Sequence, residues 1–191
     1  MKLLGISGSL RAGSYNRKVL QTASKVLPDG VELEMFDGLK LVPPYDEDDD
    51  TDPAPPAVAR LRTAIAGADA LLIATPEYNA SIPGQLKNAL DWVSRPDATN
   101  VLRNKPVAVV GASVSAFGGV WSQAELRKVL SAIGARVLQR ELSVAHAHER
   151  LDAEGRLEDE ELRRGLRGIL EELMAEVAPQ ATDAARRAAA A

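Results

Sequence analysis

The sequence of 191 residues contains no cysteine. A disulfide-stapled scaffold, a thiolate nucleophile and any zinc or iron–sulfur site with Cys ligands are therefore excluded. Long hydrophobic runs are also missing: the best one, residues 68–76, is interrupted by Asp69 and falls far short of the roughly 20 apolar residues that cross a bilayer. The first residues turn to Gly and Ser too soon for a signal-peptide core of about 7–15 residues. We therefore expect a cytoplasmic protein with no membrane partner.

The chain also lacks a large excess of charge of either sign, since it has 23 Lys and Arg and 27 Asp and Glu, for a net charge of −4. A nucleic-acid-binding protein usually shows a basic face, so we expect no nucleic-acid partner. The apolar fraction of 46% and the charged fraction of 26% are those of an ordinary globular chain. We expect one domain over residues 1–178, followed by an Ala-rich, disordered tail at 179–191 that shows no apolar period.

Short apolar runs bounded by turn residues alternate with longer segments of helical period. They predict strands at residues 2–7, 31–36, 68–75, 106–113 and 136–142, and helices at 15–26, 57–66, 84–95, 123–133 and 157–177. The run ADALLIAT at 68–75 is apolar without alternation, which is typical of a strand covered on both faces. The repeated strand–helix pattern predicts a doubly wound α/β domain with a parallel sheet. In such a sheet, ligands bind outside the carboxyl ends of the strands, where the strand order reverses.

The loop after the first predicted strand, SGSLRAGSYN at 7–16, suits a phosphate group. Its glycines allow close approach, its serines offer hydroxyls, Arg11 offers a cation, and a helix N-terminus follows. The alternative is an ordinary helix cap at Ser14 or Asn16 with a flexible turn. The loop has neither the lysine of a nucleotide P-loop nor the glycine spacing of a dinucleotide fingerprint.

The loop after the third predicted strand, TPEYNASIPG at 75–84, is stiffened by two prolines. It can present backbone groups to the edge of a planar ligand, with Tyr78 available for stacking. The alternative is a structural turn with a buried Tyr78.

The loop after the fourth predicted strand, GASVSAFGGVWSQ at 111–123, resembles the other half of a slot. Ser113 lies at its strand terminus, and the pair Gly118-Gly119 allows a second close approach. A glycine pair before a helix is also ordinary turn chemistry.

Two segments, GSLRAGSYN at Gly8–Asn16 and TPEYNASIPGQLKNALDW at Thr75–Trp92, resemble the NADPH-dependent FMN reductase family, which includes bacterial quinone and chromate reductases. The resemblance extends from Met1 to about Leu170. It implies a flavodoxin-like fold, in which a five-stranded parallel sheet of order 2-1-3-4-5 binds FMN at the switch between strands 1 and 3.

The resemblance assigns ten residues to the cofactor. The FMN phosphate would be held by Ser9, Arg11, Ser14 and Asn16, with Tyr15 nearby. The isoalloxazine ring would lie against Pro76, Glu77, Tyr78 and Asn79, with Ser113 on its far side. The chain departs from the family at Ser115, where Gly is frequent, and at Trp121, where Arg is frequent, so these departures bear on how the nicotinamide donor is positioned.

The resemblance further implies an FMN-dependent NAD(P)H oxidoreductase with ping-pong hydride transfer to bound FMN and then to a quinone, free flavin or similar acceptor. Backbone N–H groups of residues 77–79 would stabilise the negative charge of the reduced ring. We assign no general acid or base, because the cofactor carries the chemistry. No metal ligand is assigned either, since the chain has no Cys and no clear ligand set. Family members associate, so a homodimer or homotetramer is expected. NADPH and NADH are not distinguished, since no residue that contacts the donor's ribose is identifiable.

Two other functions are compatible with the sequence: a flavodoxin-like electron carrier without direct NAD(P)H oxidation, and a non-enzymatic phosphate- or nucleotide-binding module. His146 and His148 would share one face of a strand and could hold a metal, but no third ligand is evident. The acidic run at 46–52 is interpreted as a solvated loop rather than a calcium site. The acidic cluster at 158–161 is expected at a helix start.

Overall fold

Alternating strands and helices account for most of the chain, which the computed structural model describes over residues 1–152 and 154–189, with side chains up to residue 177. The elements are β1 (Lys2–Ser7), α1 (Tyr15–Lys25), β2 (Glu32–Phe36), α2 (Pro56–Ala66), β3 (Ala70–Thr75), α3 (Gly84–Val93), β4 (Pro106–Ala112), α4 (Val120–Ala132), β5 (Arg136–Val137), β6 (Ser143–Val144), α5 (Ala147–Arg150) and α6 (Glu160–Ala189). Short 3-10 turns lie at Leu39–Leu41, Glu47–Asp49 and Asp97–Thr99.

The sheet is parallel, with the strand order β2-β1-β3-β4-β5, and β6 also pairs with β4. The flavodoxin-like α/β fold and its strand order are therefore confirmed. Strands β1, β3 and β4 lie inside the sheet, and β3 is buried along its whole length, as its unbroken apolar run predicts. The carboxyl ends of these three strands lie at the same edge of the sheet.

The predicted fifth strand at 136–142 is wrong in one respect, because it is two short strands. Val137 pairs with Val107, and pairing resumes only where Ser143 meets Gly111. Six residue steps on this segment oppose four on β4, so a regular ladder cannot continue between them. The intervening segment instead bulges towards α6, where Gly168 leaves room for the guanidinium of Arg140.

Helices cover both faces of the sheet. Helices α2, α3 and α4 pack with one face of the strands in one apolar cluster, and α1 and α6 pack with the other face. Trp92 is fully buried in the first cluster, and its indole N–H donates to the carbonyl of Pro43 at 2.9 Å. Trp92 is therefore a core residue, whereas Trp121 is about half exposed.

The histidine pair does not lie on a strand, so that prediction is wrong. His146 has a φ of 46° and precedes the short helix α5, on which His148 lies. The acidic cluster, in contrast, is confirmed at a helix start, because α6 begins at Glu160. Asp159 caps this helix by accepting the N–H groups of Glu161 and Leu162 at 2.9 and 3.2 Å.

The acidic loop is exposed over residues 46–49, as expected. Asp50 differs, since its carboxylate pairs with Arg62 at 2.9 Å and both side chains are largely buried. Within the described ranges, no helix combines the length and apolar character that a membrane span requires. The backbone of α6 continues into the tail at 179–191, but the tail's side chains and its last two residues lie outside the description, so the expected disorder there stays a prediction.

Candidate functional site

The loops that follow β1, β3 and β4 meet at one edge of the sheet and enclose a cleft of about 370 Å³. Nine of the ten residues assigned to the cofactor, all but Asn79, line this cleft together with Ala112 and Val114. The volume falls within the range of small-molecule sites. The structure therefore brings the two sequence motifs together into one place.

Ser14 is the N-cap of α1, since its Oγ accepts the N–H of Arg17 at 3.3 Å. Its own N–H donates to the carbonyl of Arg11 at 3.1 Å, which closes the loop into a turn beside the helix start. Arg11 stacks over the ring of Tyr15, with 5.2 Å from the guanidinium carbon to the ring centroid. The loop thus combines a cation and the positive end of a helix dipole, which favours an anion.

Asn16 has a structural role that the sequence did not show. Its buried side-chain amide donates to the carbonyl of Ala112 and accepts the Ala112 N–H, both at 2.9 Å. The last pairing of β3 with β4 joins Thr75 to Gly111, and the next residue, Pro76, has no N–H to donate. Asn16 takes over the pairing beyond that point and ties the first loop to β4. Because the side chain of Asn16 is engaged with Ala112, the predicted contact of this residue with the phosphate would come from its backbone N–H in the first turn of α1.

Residues 78–81 form a tight turn. The N–H of Tyr78 donates to the carbonyl of Ser81 at 3.0 Å, and the N–H of Ser81 donates back at 3.1 Å. Asn79 and Ala80 both have a positive φ, of 53° and 59°, as a type I′ turn requires. We predicted that the backbone N–H groups of residues 77–79 stabilise the reduced ring. That prediction is corrected at Tyr78, because its N–H is already bonded within the turn. The Tyr78 side chain is half exposed rather than buried.

Glu77 joins the second loop to the third. Its Oε2 accepts the backbone N–H groups of Trp121 and Ser122, at 3.0 and 3.1 Å. These groups lie in the first turn of α4, whose N-cap, Gly119, has no side chain to satisfy them. A carboxylate from another loop therefore caps the helix, and α4 begins three residues earlier than predicted.

The third loop is held by Ser113 and two glycines. The Ser113 Oγ accepts the N–H of Ser115 at 3.2 Å, so the departure at Ser115 is accommodated by a local turn. Gly118 and Gly119 have φ values of 60° and 80°. A Cβ on Gly118 would come within 2.8 Å of backbone atoms of residues 143 and 145, so a side chain does not fit there.

The cleft has a charged end and an apolar rim. Arg11 is the cation among its described lining residues, and the Glu77 carboxylate is directed to α4. Beyond Glu77, Phe117 and Trp121 are half exposed and pack against each other at a tilt, with their ring centroids 4.8 Å apart. Tyr78 and Val114 are also more than half exposed. This arrangement suits a planar aromatic ligand with an anionic tail.

Comparisons with known proteins point in the same direction. Residues 1–149 match the family described as NADPH-dependent FMN reductase. The chain is 44% identical over 174 residues to an NAD(P)H-dependent FMN reductase of Pseudomonas aeruginosa, covering 91% of this chain and 93% of that protein. It is 38% identical over 177 residues to a 2-hydroxy-1,4-benzoquinone reductase of a Burkholderia species, covering 92% and 95%.

Among solved structures, the chain is similar to FerB, a flavoenzyme NAD(P)H:(acceptor) oxidoreductase from Paracoccus denitrificans. The TM-score is 0.84 and the identity 32%, and the match covers 93% of this chain and 97% of FerB.

Proposed function

The chain belongs to the NADPH-dependent FMN reductase family, and from that premise we propose that it is an FMN-dependent oxidoreductase that takes electrons from NAD(P)H and passes them to a quinone, a free flavin or a similar acceptor. The observation that carries the proposal is the cleft itself. Two motifs that are separated by about 60 residues in sequence converge on it, and their side chains would supply an anion site beside an apolar slot.

The residues present fit FMN. Arg11, the hydroxyls of Ser9 and Ser14 and the start of α1 would hold the phosphate. Pro76 and Glu77 would lie along the ring on one wall, with Ser113 on the other. The half-exposed side chain of Tyr78 is free to cover part of the ring. Bound FMN supplies the two-electron redox chemistry that amino-acid side chains lack.

The protein's contribution is to bind, orient and polarise. Because the Tyr78 N–H is used inside the turn and Pro76 has none, the Glu77 N–H would be the backbone donor that the second loop offers to the ring. A fixed N–H group in such a place stabilises negative charge without reorganisation. Since Glu77 is anchored to α4 by its side chain, its backbone is also fixed relative to the third loop.

Steady-state kinetics with FMN, NADPH or NADH, and 1,4-benzoquinone test this function. The proposal predicts sustained NAD(P)H oxidation that requires both FMN and quinone. It also predicts parallel lines in double-reciprocal plots, because donor and acceptor occupy the same face in turn. FMN that is tightly bound but supports no turnover with either donor would indicate an electron carrier instead.

We also propose that the chain forms a homodimer or homotetramer in the cytoplasm, where NAD(P)H is available. The exposed pair Phe117 and Trp121 and the neighbouring Val114 form an apolar surface beside the cleft, and such surfaces are frequent at subunit contacts. Light scattering after size exclusion tests the assembly: a monomer at micromolar concentration would contradict it. Cell fractionation tests the location, which recovery in a membrane fraction would contradict.

A further inference from the structure

A second pocket, of about 330 Å³, lies on the other side of the first loop, between that loop and the segment after β2. We call it the basic pocket, because Arg11, Arg17 and Lys40 line it. It shares Ser9 and Arg11 with the cofactor cleft, so the two cavities have a common wall.

The positive charge of the basic pocket is not neutralised by the protein. Nine other arginines of the described chain form ion pairs with carboxylates. Within the described residues, Arg11, Arg17 and Lys40 have no carboxylate partner. The one acidic residue in the lining, Asp37, is already paired with Arg60. Because Arg11 is assigned to the FMN phosphate, Arg17 and Lys40 remain as two like charges around one cavity when FMN is bound, and a bound anion relieves their repulsion.

The pocket also has an apolar side. Phe36 and Leu39 are buried beneath it, and Leu10 is nearly half exposed at its edge. A ligand with both a phosphate and an uncharged ring or sugar therefore fits better than a simple ion. In dinucleotide-binding α/β folds, the segment after the second strand contacts the ribose 2′ position. Lys40 lies four residues after β2, which here too is the strand beside β1, so the likeness is one of sheet position and does not extend to the glycine motif.

We propose that the basic pocket binds the 2′-phosphate of NADPH and so makes the enzyme selective for NADPH over NADH. The inference rests on the proposed function. The donor would place its nicotinamide in the cleft, and its adenosine end would pass over Arg11 into the basic pocket. A phosphate in this pocket has two possible sources, the donor and FMN itself. The test separates them by using a probe that contains no flavin.

The experiment uses the FMN-loaded protein and its Lys40→Ala and Arg17→Ala variants. Calorimetric titration with 2′,5′-ADP, compared with 5′-ADP, measures recognition of the 2′-phosphate directly. Each variant is expected to bind 2′,5′-ADP about tenfold more weakly, as the loss of one charge-assisted hydrogen bond implies. The NADPH/NADH ratio of kcat/KM is expected to fall by about the same factor.

Lys25→Ala is the matched control, because it removes an exposed cation from the far end of the same α1 helix. It should leave both readouts unchanged. Equal loss of 2′,5′-ADP and 5′-ADP, or an unchanged affinity for 2′,5′-ADP, would overturn the inference. A loss of FMN affinity in Lys40→Ala would assign the pocket to the FMN phosphate and would overturn it too. Lys40 is exposed, so its removal does not put folding at risk.

Failure of the proposed function gives a different result. In that case the wild-type protein would show no FMN-dependent oxidation of either donor, whatever its affinity for 2′,5′-ADP. Wild-type turnover with equal kcat/KM for NADPH and NADH would instead leave the function intact and contradict the selectivity.

Discussion

Glu77, in the loop after β3, accepts a hydrogen bond at 3.0 Å from the backbone N–H of Trp121, the second residue of α4. The two residues are far apart in sequence, and the bond ties the loop after β3 to the start of the helix that follows the third loop. Asn16 makes a similar connection between the first loop and Ala112 at the end of β4. Side chains thus tie both the first and the second loop to the third, which restricts the width of the cleft before any ligand binds.

The helix cap supplied by Glu77 predicts a measurable loss on its removal. Glu77→Ala should destabilise the protein by about 1 kcal/mol, as for the loss of an N-cap. For a chain of this size that lowers Tm by roughly 2–4 °C. Glu77→Gln retains one acceptor oxygen and should lose less. FMN affinity should fall in the same order, measured by flavin fluorescence quenching. Glu47→Ala, an exposed acidic residue in a short turn, is the control. Wild-type stability and FMN affinity in Glu77→Ala would refute the role of the cap.

Arg11 supplies the cation of the cleft and is exposed, so its removal should affect binding and not folding. Arg11→Ala should weaken FMN binding by about ten- to a hundredfold, the cost of losing a charge-assisted hydrogen bond to phosphate. The apo protein should keep its Tm. Arg164→Ala removes an exposed arginine from α6 and should change neither quantity. An unchanged FMN dissociation constant in Arg11→Ala would remove the phosphate assignment.

In contrast to Arg11, substitution of the buried Asn16 is expected to reduce the stability of the fold. Asn16→Ala leaves the buried N–H and carbonyl of Ala112 without partners, at a cost on the order of 2–4 kcal/mol. Asn16→Asp keeps the acceptor but sets a carboxylate against the Ala112 carbonyl, so the pKa of the new group should be raised. That variant should therefore be least destabilised below about pH 4, where the carboxyl is protonated. Urea unfolding at several pH values measures this. Equal destabilisation of Asn16→Asp at all pH values would contradict the geometry.

Asp159 predicts a pH dependence of stability. The hydrogen bond from the Leu162 N–H is the largest influence on the Asp159 carboxyl and lowers its pKa. Burial raises the pKa, but the Glu161 N–H and Arg150 lower it further, so the net shift is downward. A carboxyl with a lowered pKa in the folded state stabilises that state above its unfolded pKa, near 4, and this contribution is lost as the pH falls further. Asp159→Asn keeps a good cap without titrating. The variant should therefore lose less stability than wild type between about pH 5 and pH 2, measured as the urea midpoint. Parallel profiles for the two proteins would argue against this role.

Much of the fold follows from local sequence. Strands β1, β3 and β4 are apolar runs bounded by turn residues, and burial on both faces requires no more information than that. The split of the predicted fifth strand was not visible, because Leu138 and Leu142 are buried and apolar like strand residues. What breaks the ladder is the difference in residue count against β4, together with the space that Gly168 leaves for Arg140.

The sequence identified most of the residues that line the cleft, but it did not identify the contacts that their side chains make. Motif similarity named the residues that line the cleft, but Asn16 and Glu77 have their side-chain partners 96 and 44 positions away. Nothing local indicates such partners. Gly119 offered one hint, because a glycine where helices usually place Ser, Thr, Asp or Asn suggests that another residue supplies the cap. The basic pocket is a similar case, since Arg17 and Lys40 converge only in the folded chain.

An anaerobic absorbance titration of the FMN-loaded, desalted protein tests whether the cleft binds FMN and passes it electrons from a nicotinamide donor. We predict that the flavin bands are retained through desalting, bleach on addition of NADPH and return when a quinone is added. Flavin that stays oxidised with both NADPH and NADH, or a protein that retains no FMN at all, would contradict the central claim that this cleft binds FMN for transfer of electrons from a nicotinamide donor.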